Sequence, residues 1–377
     1  MNNIHLNKYI KKRSIHNLGK PHKNIRDKKF DFFIVIPCYN EFDYIFETLK
    51  SINKQEQKIL NNTLVVIVIN NSVTDSKKIK DNNQKTYKKL IEQKYNFNFI
   101  AINAFSKDYA IPTKLAGVGY ARKLGLDFSL NHIYNEQSIL CSLDADTLLN
   151  ENYLKKIKLE FDNNIEVAVI NFKHQQSNNP IIEEGIRKYE SSIKDIAKKI
   201  ESTGSPYGYV SMGSTIVCNV KSYIACGGMN TKAATEDFYF LQALAKYTKI
   251  YKINEILVFP SSREENRVYL GTGFRMNEYV ENGLFKNLDF KEEAFLEIKK
   301  IIQIVTQNQN CDYSIILKKM NKNLNNKSLN FLINKGLENI WDKFKNNSKN
   351  EEQFMLFFHQ WFDALSIMRL LKKINNY

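Results

Sequence analysis

The sequence is poor in cysteine and contains no long hydrophobic run. Its five cysteines are odd in number and widely dispersed, and no Cys-x-x-Cys pair occurs, which argues against a disulfide framework and a structural zinc site. We therefore expect free thiols, as in a cytoplasmic protein. No stretch approaches the roughly 18 apolar residues that a membrane-spanning helix needs. The basic N-terminus has no apolar segment behind it, so a secretory signal is not expected either.

Acidic residues are almost absent from the first 30 positions, where Asp27 stands against nine basic residues. This segment carries a net charge of +8, more than half of the total of +15. It lacks helical periodicity, and a solvated arm is the first interpretation. Attraction to an anionic membrane surface or another polyanion is the second. The basic residues are Lys8, Lys11, Lys12, Arg13, Lys20, Lys23, Arg26, Lys28 and Lys29.

Beyond residue 30, short apolar runs alternate with segments of helical periodicity. Strands are predicted at 32–37, 64–69, 97–101, 138–143 and 165–172, and helices at 41–53, 75–94, 114–130 and 150–161. This alternation predicts an α/β fold with a mostly parallel central sheet flanked by helices. Because ligands of such sheets bind beyond the carboxyl ends of the strands, the residues after each strand are the candidates for a site.

The pattern changes after Pro180. A charged helix is predicted at 181–200, a strand at 212–218 and a helix at 235–247, and helical patterns dominate from about residue 276. The predicted organisation is a basic arm at 1–30, an α/β domain at 31–275 and an α-helical extension at 276–377. The aromatic face within 354–371 indicates core packing or a subunit contact, with a membrane-surface role as the alternative.

Two aspartates, Asp144 and Asp146, follow the strand predicted at 138–143. On an extended backbone, residues i and i+2 point to the same side, so the two carboxylates can converge. Like charges this close require a positive partner. Paired carboxylates suit Mn²⁺ or Mg²⁺, whose remaining ligands are water and phosphate oxygens. The motif predicts a metal-bound diphosphate at this edge of the sheet, and a short acidic turn without a ligand is the alternative.

Two further carboxylates, Glu236 and Asp237, begin the helix predicted at 235–247. A carboxylate at a helix N-terminus is kept ionised by backbone N–H groups. It can then act as the base that an attacking hydroxyl needs. Simple helix capping is the alternative interpretation.

Six short motifs, in order along the chain, resemble those of family 2 glycosyltransferases with the GT-A fold. The resemblance covers about residues 31–275, and the segments 204–207 and 267–273 are similar to a less characterised bacterial subset of that family. The basic arm and the C-terminal helices lie outside it. The motifs are FIVIPCYNE at 33–41, GVGYARK at 117–123, DAD at 144–146, GST at 213–215, GGM at 227–229 and EDF at 236–238.

The resemblance implies transfer of a sugar from a nucleotide-diphosphate donor to an acceptor hydroxyl, in a single displacement with inversion. It implies Asp237 as the base, with Glu236 beside it, and Asp144 and Asp146 as ligands of the nucleotide and a Mn²⁺ or Mg²⁺ ion. Arg122 would face the donor, and Arg263 and Arg267 would cover its diphosphate with guanidinium groups. A surface salt bridge is the alternative for each loop arginine. The residues implied around the nucleoside are Pro37, Tyr39 and Glu41.

The chain departs from the family where Asn70, Asn71 and Ser72 replace the acidic residues that many members carry after the second strand. We expect Asn70 to face the nucleotide. Because an amide both donates and accepts hydrogen bonds, uridine recognition does not carry over and the donor stays open. No histidine lies between His174 and His359 to serve as a third metal ligand.

Two other functions compete with glycosyl transfer. A nucleotidyltransferase should carry a glycine-rich loop after the first strand, and the segment 37–41 contains no glycine. A basic module that binds a polyanion would not need the ordered acidic motifs.

We expect a saccharide or lipid-linked acceptor, no nucleic acid partner, and a cytoplasmic location with peripheral contact at the inner membrane face. The sugar, the glycan product and the oligomeric state stay open.

Overall fold

The computed structural model describes residues 4–15, 19–25, 28–265 and 271–377. Within these residues, nine strands form one mixed sheet. The strands are β1 (Lys20–Pro21), β2 (Phe32–Cys38), β3 (Thr63–Asn70), β4 (Asn98–Ala104), β5 (Ile139–Ser142), β6 (Leu148–Leu149), β7 (Val167–Phe172), β8 (Ile216–Asn219) and β9 (Tyr251–Phe259).

Helices connect the strands and make up most of the C-terminal part. Among the described residues, no helix combines the length and the apolar character needed to cross a membrane. The helices are α1 (Ile4–Arg13), α2 (Ile45–Ile52), α3 (Gln57–Leu60), α4 (Lys77–Glu92), α5 (Val118–Ser129), α6 (Tyr153–Asp162), α7 (Pro180–Ser202), α8 (Val220–Ala225), α9 (Glu236–Tyr247), α10 (Thr272–Asn282), α11 (Glu292–Gln307), α12 (Tyr313–Asn323), α13 (Asn326–Asn334), α14 (Leu337–Asn347), α15 (Glu351–Trp361) and α16 (Ala364–Asn375).

The strand order is β1-β4-β3-β2-β5-β8-β7-β9-β6, and the neighbours from β4 to β5 are parallel. Every residue of β2 and β3 is buried, as expected for central parallel strands covered on both faces. Their continuous apolar sequences explain why they could be predicted. The α/β class with a mostly parallel core is confirmed.

The parallel register carries three polar segments to one edge of the sheet. Cys38 at the end of β2 pairs with Ile69 of β3, and Val35 pairs with Ser142 at the end of β5. The residues that follow these strands include Glu41, Asn70 and Asp144. Their proximity results from strand pairing, as the sequence predicted.

The structure differs from the predicted elements at β8 and β9. The strand predicted at 212–218 begins at Ile216, because Gly213–Thr215 form a 3-10 turn. The strand β9 was not predicted. Its burial alternates irregularly and Glu255 interrupts its apolar residues, so it shows neither a continuous apolar run nor a regular period of two.

The chain separates into two compact units. The first comprises Met1–Ile186 with Ser211–Asn277 and contains the whole sheet, and the second comprises Arg187–Val210 with Glu278–Tyr377. The predicted boundaries differ in that they left 187–210 with the α/β domain.

In the second unit, Trp341, Phe358 and Phe362 are fully buried. The aromatic side of the C-terminal segment therefore packs in a core, which was the first interpretation.

The N-terminal arm corrects a prediction. Residues 4–13 form helix α1, Tyr9 in it is 4% exposed, and β1 pairs antiparallel with β4. The prediction of a fully solvated arm without helical structure is therefore wrong for residues 4–13. Because Tyr9 is the one buried residue of this ten-residue helix, hydrophobic periodicity could not have revealed it. Lys8, Lys11 and Lys12 are exposed, as expected.

Candidate active site

Arg122 connects three segments of the first unit. It lies on α5, is 2% exposed, and donates from Nη2 to Asp144 Oδ1 at 2.8 Å. The same nitrogen lies 3.3 Å from Glu236 Oε1. Its Nη1 donates to Ser142 Oγ and to the carbonyl of Gly213 at 3.3 Å. Arg122 thus ties the end of β5 to the first residue of α9.

Asp144 is held by both of its carboxylate oxygens. Oδ1 accepts from Arg122, and Oδ2 accepts from Ser214 Oγ at 2.5 Å. Thr147 Oγ1 lies 3.2 Å from Ser214 Oγ and extends the network. The Asp144 side chain is nevertheless 36% exposed, so a ligand can still reach it.

Asp146 faces a different arginine. Arg263, in the segment after β9, lies with Nη2 3.1 Å from Asp146 Oδ2 and donates to Glu41 Oε1 at 2.7 Å. Its guanidinium carbon lies 4.2 Å from the centre of the Tyr44 ring, a cation–π distance. Burial opposes the charge on Arg263, but Glu41 and Asp146 outweigh it and raise the pKa of the guanidinium.

Among the described residues, Asp144 and Asp146 therefore pair with two separate arginines. Within the described ranges, no group of three or more His, Cys, Asp or Glu side chains is arranged to hold a metal ion. Asp144 and Asp146 offer carboxylate oxygens, which are the ligands that Mn²⁺ and Mg²⁺ prefer, and such ions often keep few protein ligands beside phosphate and water. The residues fit an ion that binds together with a diphosphate.

The carboxylates of Glu236 and Asp237 lie within the electrostatic reach of Arg122. Burial opposes the charge on Arg122, but Asp144, Glu236 and Asp237 outweigh it and raise the pKa of its guanidinium. Burial is also the largest influence on both carboxyls and raises the pKa of each, although Arg122 acts to lower both. Asp237 raises the pKa of Glu236 further. Such a pair releases its protons at higher pH than two separate solvated carboxyls would.

The backbone at the start of α9 fixes Asp237. Thr235, directly before the helix, has a φ of +62°, a left-handed conformation that a β-branched residue rarely adopts. Asp237 Oδ1 accepts from the backbone N–H of Phe238 at 2.7 Å. Capping, the alternative interpretation, accounts for this bond but not for the ion pair between Glu236 and Arg122.

The residues predicted around the nucleoside lie at the ends of β2 and β3. Pro37 is buried in β2, Tyr39 is partly exposed just beyond it, and Glu41 is buried against Arg263. Asn70 ends β3 and is 4% exposed, and its Oδ1 has no hydrogen-bond partner among the described residues. An unpaired buried amide oxygen is costly unless a ligand completes it. Arg267 lies outside the described residues.

Several residues at this edge were not predicted. Ser142 gave no signal within its apolar strand, whereas Ser214 lies in the GST motif without having been assigned a role. Asn83 of α4 is fully buried and joins the ends of two strands. Its Nδ2 donates to the carbonyl of Asn70 at 2.9 Å, and its Oδ1 accepts from the N–H of Asn40 at 2.9 Å. An asparagine in a polar helix offers no local sign of this role.

Residues 33–214 match the family model described as "Glycosyl transferase family 2". This segment is a glycosyl transferase family 2 segment. The match covers just under half of the chain. For this segment it confirms the predicted resemblance and, with it, the class of enzyme, a transferase that acts on glycosyl groups. The match ends before Glu236, Asp237 and Arg263. No curated protein matches the chain significantly.

A search of solved structures finds several glycosyltransferases that align with much of this chain at low sequence identity. The α/β architecture described above is the one expected of the GT-A fold. S. aureus TarS 1–349 in complex with UDP has 13% sequence identity and a TM-score of 0.44, over 92% of this chain and 92% of that chain. The mannosyltransferase PcManGT from Pyrobaculum calidifontis, in complex with GDP-Man and Mn²⁺, has 12% identity and a TM-score of 0.43, over 95% and 93%. Glucosyl-3-phosphoglycerate synthase from Mycobacterium tuberculosis, in complex with Mn²⁺, UDP and glucosyl-3-phosphoglycerate, has 12% identity and a TM-score of 0.37, over 78% and 82%.

Proposed function

We propose that this glycosyl transferase moves a sugar from a nucleotide-diphosphate donor to an acceptor hydroxyl with inversion at the anomeric carbon. The observation that carries the proposal is Arg122, whose Nη2 lies 2.8 Å from Asp144 and 3.3 Å from Glu236. One buried cation thereby keeps Asp144, on the proposed donor side, next to Glu236, on the proposed acceptor side.

On the donor side, Asp144 and Asp146 would hold a Mn²⁺ or Mg²⁺ ion together with the diphosphate. When bound, such an ion stabilises negative charge on a leaving diphosphate. Arg263 lies beside Asp146 and would contact the same phosphate oxygens, for which a guanidinium group is suited. The unpaired Oδ1 of Asn70 would accept a hydrogen bond from the nucleobase, and Pro37, Tyr39 and Glu41 would line the nucleoside pocket.

On the acceptor side, Asp237 would take the proton of the acceptor hydroxyl. As its oxygen attacks the anomeric carbon, the bond from that carbon to the diphosphate oxygen breaks and the nucleoside diphosphate leaves. A base works best when its pKa approaches the working pH, and burial raises the pKa of Asp237 in that direction. Glu236 would form an ion pair with Arg122 and so keep the adjacent Asp237 in the same buried surroundings.

The decisive experiment replaces the proposed base. Asp237→Asn should lower the transfer rate by about 10²–10⁴-fold, the usual contribution of general base catalysis, while UDP or GDP still binds in the presence of Mn²⁺. Asp342→Asn is a matched control, because Asp342 is an exposed acidic residue of the second unit. Radiolabelled transfer from a panel of nucleotide-sugars measures the rate, and calorimetry measures nucleotide binding. Transfer at the normal rate by Asp237→Asn would show that the base is wrongly assigned.

The partners proposed from the sequence are a saccharide or lipid-linked acceptor and an anionic membrane surface on the cytoplasmic side. The exposed lysines of α1, a helix without acidic residues, support the membrane contact. After sedimentation with phosphatidylglycerol vesicles, the wild-type chain should be found in the pellet and a Lys8→Glu/Lys11→Glu/Lys12→Glu variant in the supernatant. Equal amounts of both chains in the pellet would exclude α1 as the membrane-binding surface.

A further inference from the structure

Helix α1 is attached to the first unit through the side chain of Tyr9. Its Oη donates to Asp127 Oδ1 at 2.8 Å and accepts from Lys123 Nζ at 2.8 Å. The ring centre lies 5.6 Å from that of Tyr223, on α8. Tyr9 therefore contributes both a ring to a core and a hydroxyl to a buried polar network.

Asp127 is the centre of that network. Its side chain is completely buried and is surrounded by four donors. Tyr9 and Tyr223 donate to Oδ1 at 2.8 Å each, the backbone N–H of Ile15 donates to Oδ2 at 2.8 Å, and Lys123 Nζ lies 3.0 Å from Oδ2. A buried carboxylate is tolerated only when it is neutralised and hydrogen-bonded. Two of its four donors come from the N-terminal segment.

The glycine turn at 227–228 is fitted to α1. Gly227 and Gly228 have φ angles of +89° and +78°, which favour glycine. A Cβ on Gly228 would stand 1.9 Å from Tyr9 Oη, and one on Gly227 would stand 2.4 Å from Arg13 Nη1. The turn therefore leaves no room for a side chain where α1 packs against it.

The segment between this glycine turn and Glu236 packs against α5. Asn230 Nδ2 donates to the carbonyl of Glu236 at 2.8 Å. A Cβ on Gly119 would stand 2.3 Å from the carbonyl oxygen of Lys232 and 2.9 Å from Glu236 Cβ, so backbone and helix are in direct contact. The segment ends at Thr235, whose left-handed conformation persists only where surrounding contacts enforce it.

Neighbouring residues of α5 connect the two ends of this arrangement. Arg122 forms an ion pair with Glu236 in the candidate site. The next residue, Lys123, donates to Tyr9 and forms an ion pair with Asp127 in the buried network. Consecutive residues of a helix point about 100° apart, so one helix can serve both clusters.

We propose that α1 is a positioning element of the active site, in which Tyr9 fixes the segment 227–235 and thereby the carboxylates of Glu236 and Asp237. This inference rests on the proposed function for the meaning of those carboxylates, but the mechanical coupling can be tested without it. Tyr9 touches no reacting group, and it acts through the glycine turn and α5.

Hydrogen–deuterium exchange of the full chain tests the coupling directly. Tyr9→Ala should raise the amide exchange rate across 229–238 by about tenfold or more and leave α11 to α16 unchanged. Lys12→Ala is the matched control, since Lys12 lies on the exposed side of the same helix. Tyr9→Phe keeps the ring but removes the hydroxyl, and it should give a smaller increase in the same segment. Unchanged exchange across 229–238 in both Tyr9 variants overturns the proposal.

Kinetics test whether the coupling matters for the reaction. With the donor that the wild-type chain uses, Tyr9→Phe should lower kcat by about 10- to 100-fold, because small misplacements of a reacting group are costly. The affinity for UDP or GDP with Mn²⁺ should stay unchanged. A normal kcat, or an equal loss of nucleotide affinity and rate, overturns the positioning role. If the wild-type chain transfers no sugar, the proposed function fails, and the exchange experiment alone decides the coupling.

Discussion

Two arginines of the first unit each bridge carboxylates from distant segments, but their surroundings differ. The side chain of Arg122 is 3% exposed, comes from the middle of α5 and forms hydrogen bonds to Ser142 and Gly213 in addition to its ion pairs. The side chain of Arg263 is 20% exposed and lies in the segment after β9, over the Tyr44 ring. The comparison indicates that Arg122 belongs to the fixed framework of the site. Arg263 occupies a place that a phosphate ligand could share.

Removing Arg122 should have the larger effect on stability. Arg122→Met leaves Glu236 buried beside Asp144 and Asp237 without a cation, which should lower the free energy of unfolding by about 3–5 kcal/mol. Far-UV circular dichroism during denaturation measures this. The fluorescence of Trp341 and Trp361 does not report on unfolding of the first unit, because both residues lie in the second unit. Arg369→Met, at an exposed position, is the control and should change stability by less than about 0.5 kcal/mol. Equal effects of the two changes would contradict a structural role for Arg122.

Removing Arg263 should affect ligand binding more than stability. Arg263→Met should lower the free energy of unfolding by only about 1–2 kcal/mol, because its ion pairs are partly solvated. The affinity for UDP or GDP in the presence of Mn²⁺ should fall about tenfold with the loss of a charge-assisted hydrogen bond to phosphate. Calorimetry measures this affinity. A higher affinity in the variant would mean that Arg263 obstructs the donor site and does not bind the donor.

The smallest predicted effect is a shift in the pH dependence of transfer. The proposed base, Asp237, must be ionised, so kcat should fall as the pH drops through the pKa of the Glu236–Asp237 pair. Because the pKa of both carboxyls is raised, this fall should come at higher pH than the value near 4 of solvated carboxyls. Glu236→Gln removes one negative charge, lowers the pKa of Asp237 and should move the fall to lower pH by about one pH unit.

A pH–rate profile checks this shift and returns to the comparison of the two arginines. Arg263→Met should leave the position of the fall unchanged, because Arg263 pairs with Glu41 and Asp146 and not with the proposed base, Asp237. An identical profile for Glu236→Gln and the wild type would show that the two carboxyls do not titrate together.

Much of the first unit could be predicted because its signals are local. The apolar runs of β2 and β3 and the polar residues after them gave both the strands and the edge where Asp144, Asp146 and Asn70 lie. The prediction failed where burial depends on one residue or on an irregular pattern. The helix α1 buries a single tyrosine, and β9 mixes charged and apolar residues without a period.

The sequence by itself determined that carboxylates would stand at the ends of buried parallel strands, because strand ends follow from the local alternation of apolar and polar residues. Only the tertiary structure decided which cation meets which carboxylate. Arg263 and Glu41 are 222 residues apart, and Tyr9 and Asp127 are 118 residues apart. Such pairs form where separate segments pack at a fixed distance and shut out water, and no local pattern in either segment encodes that distance.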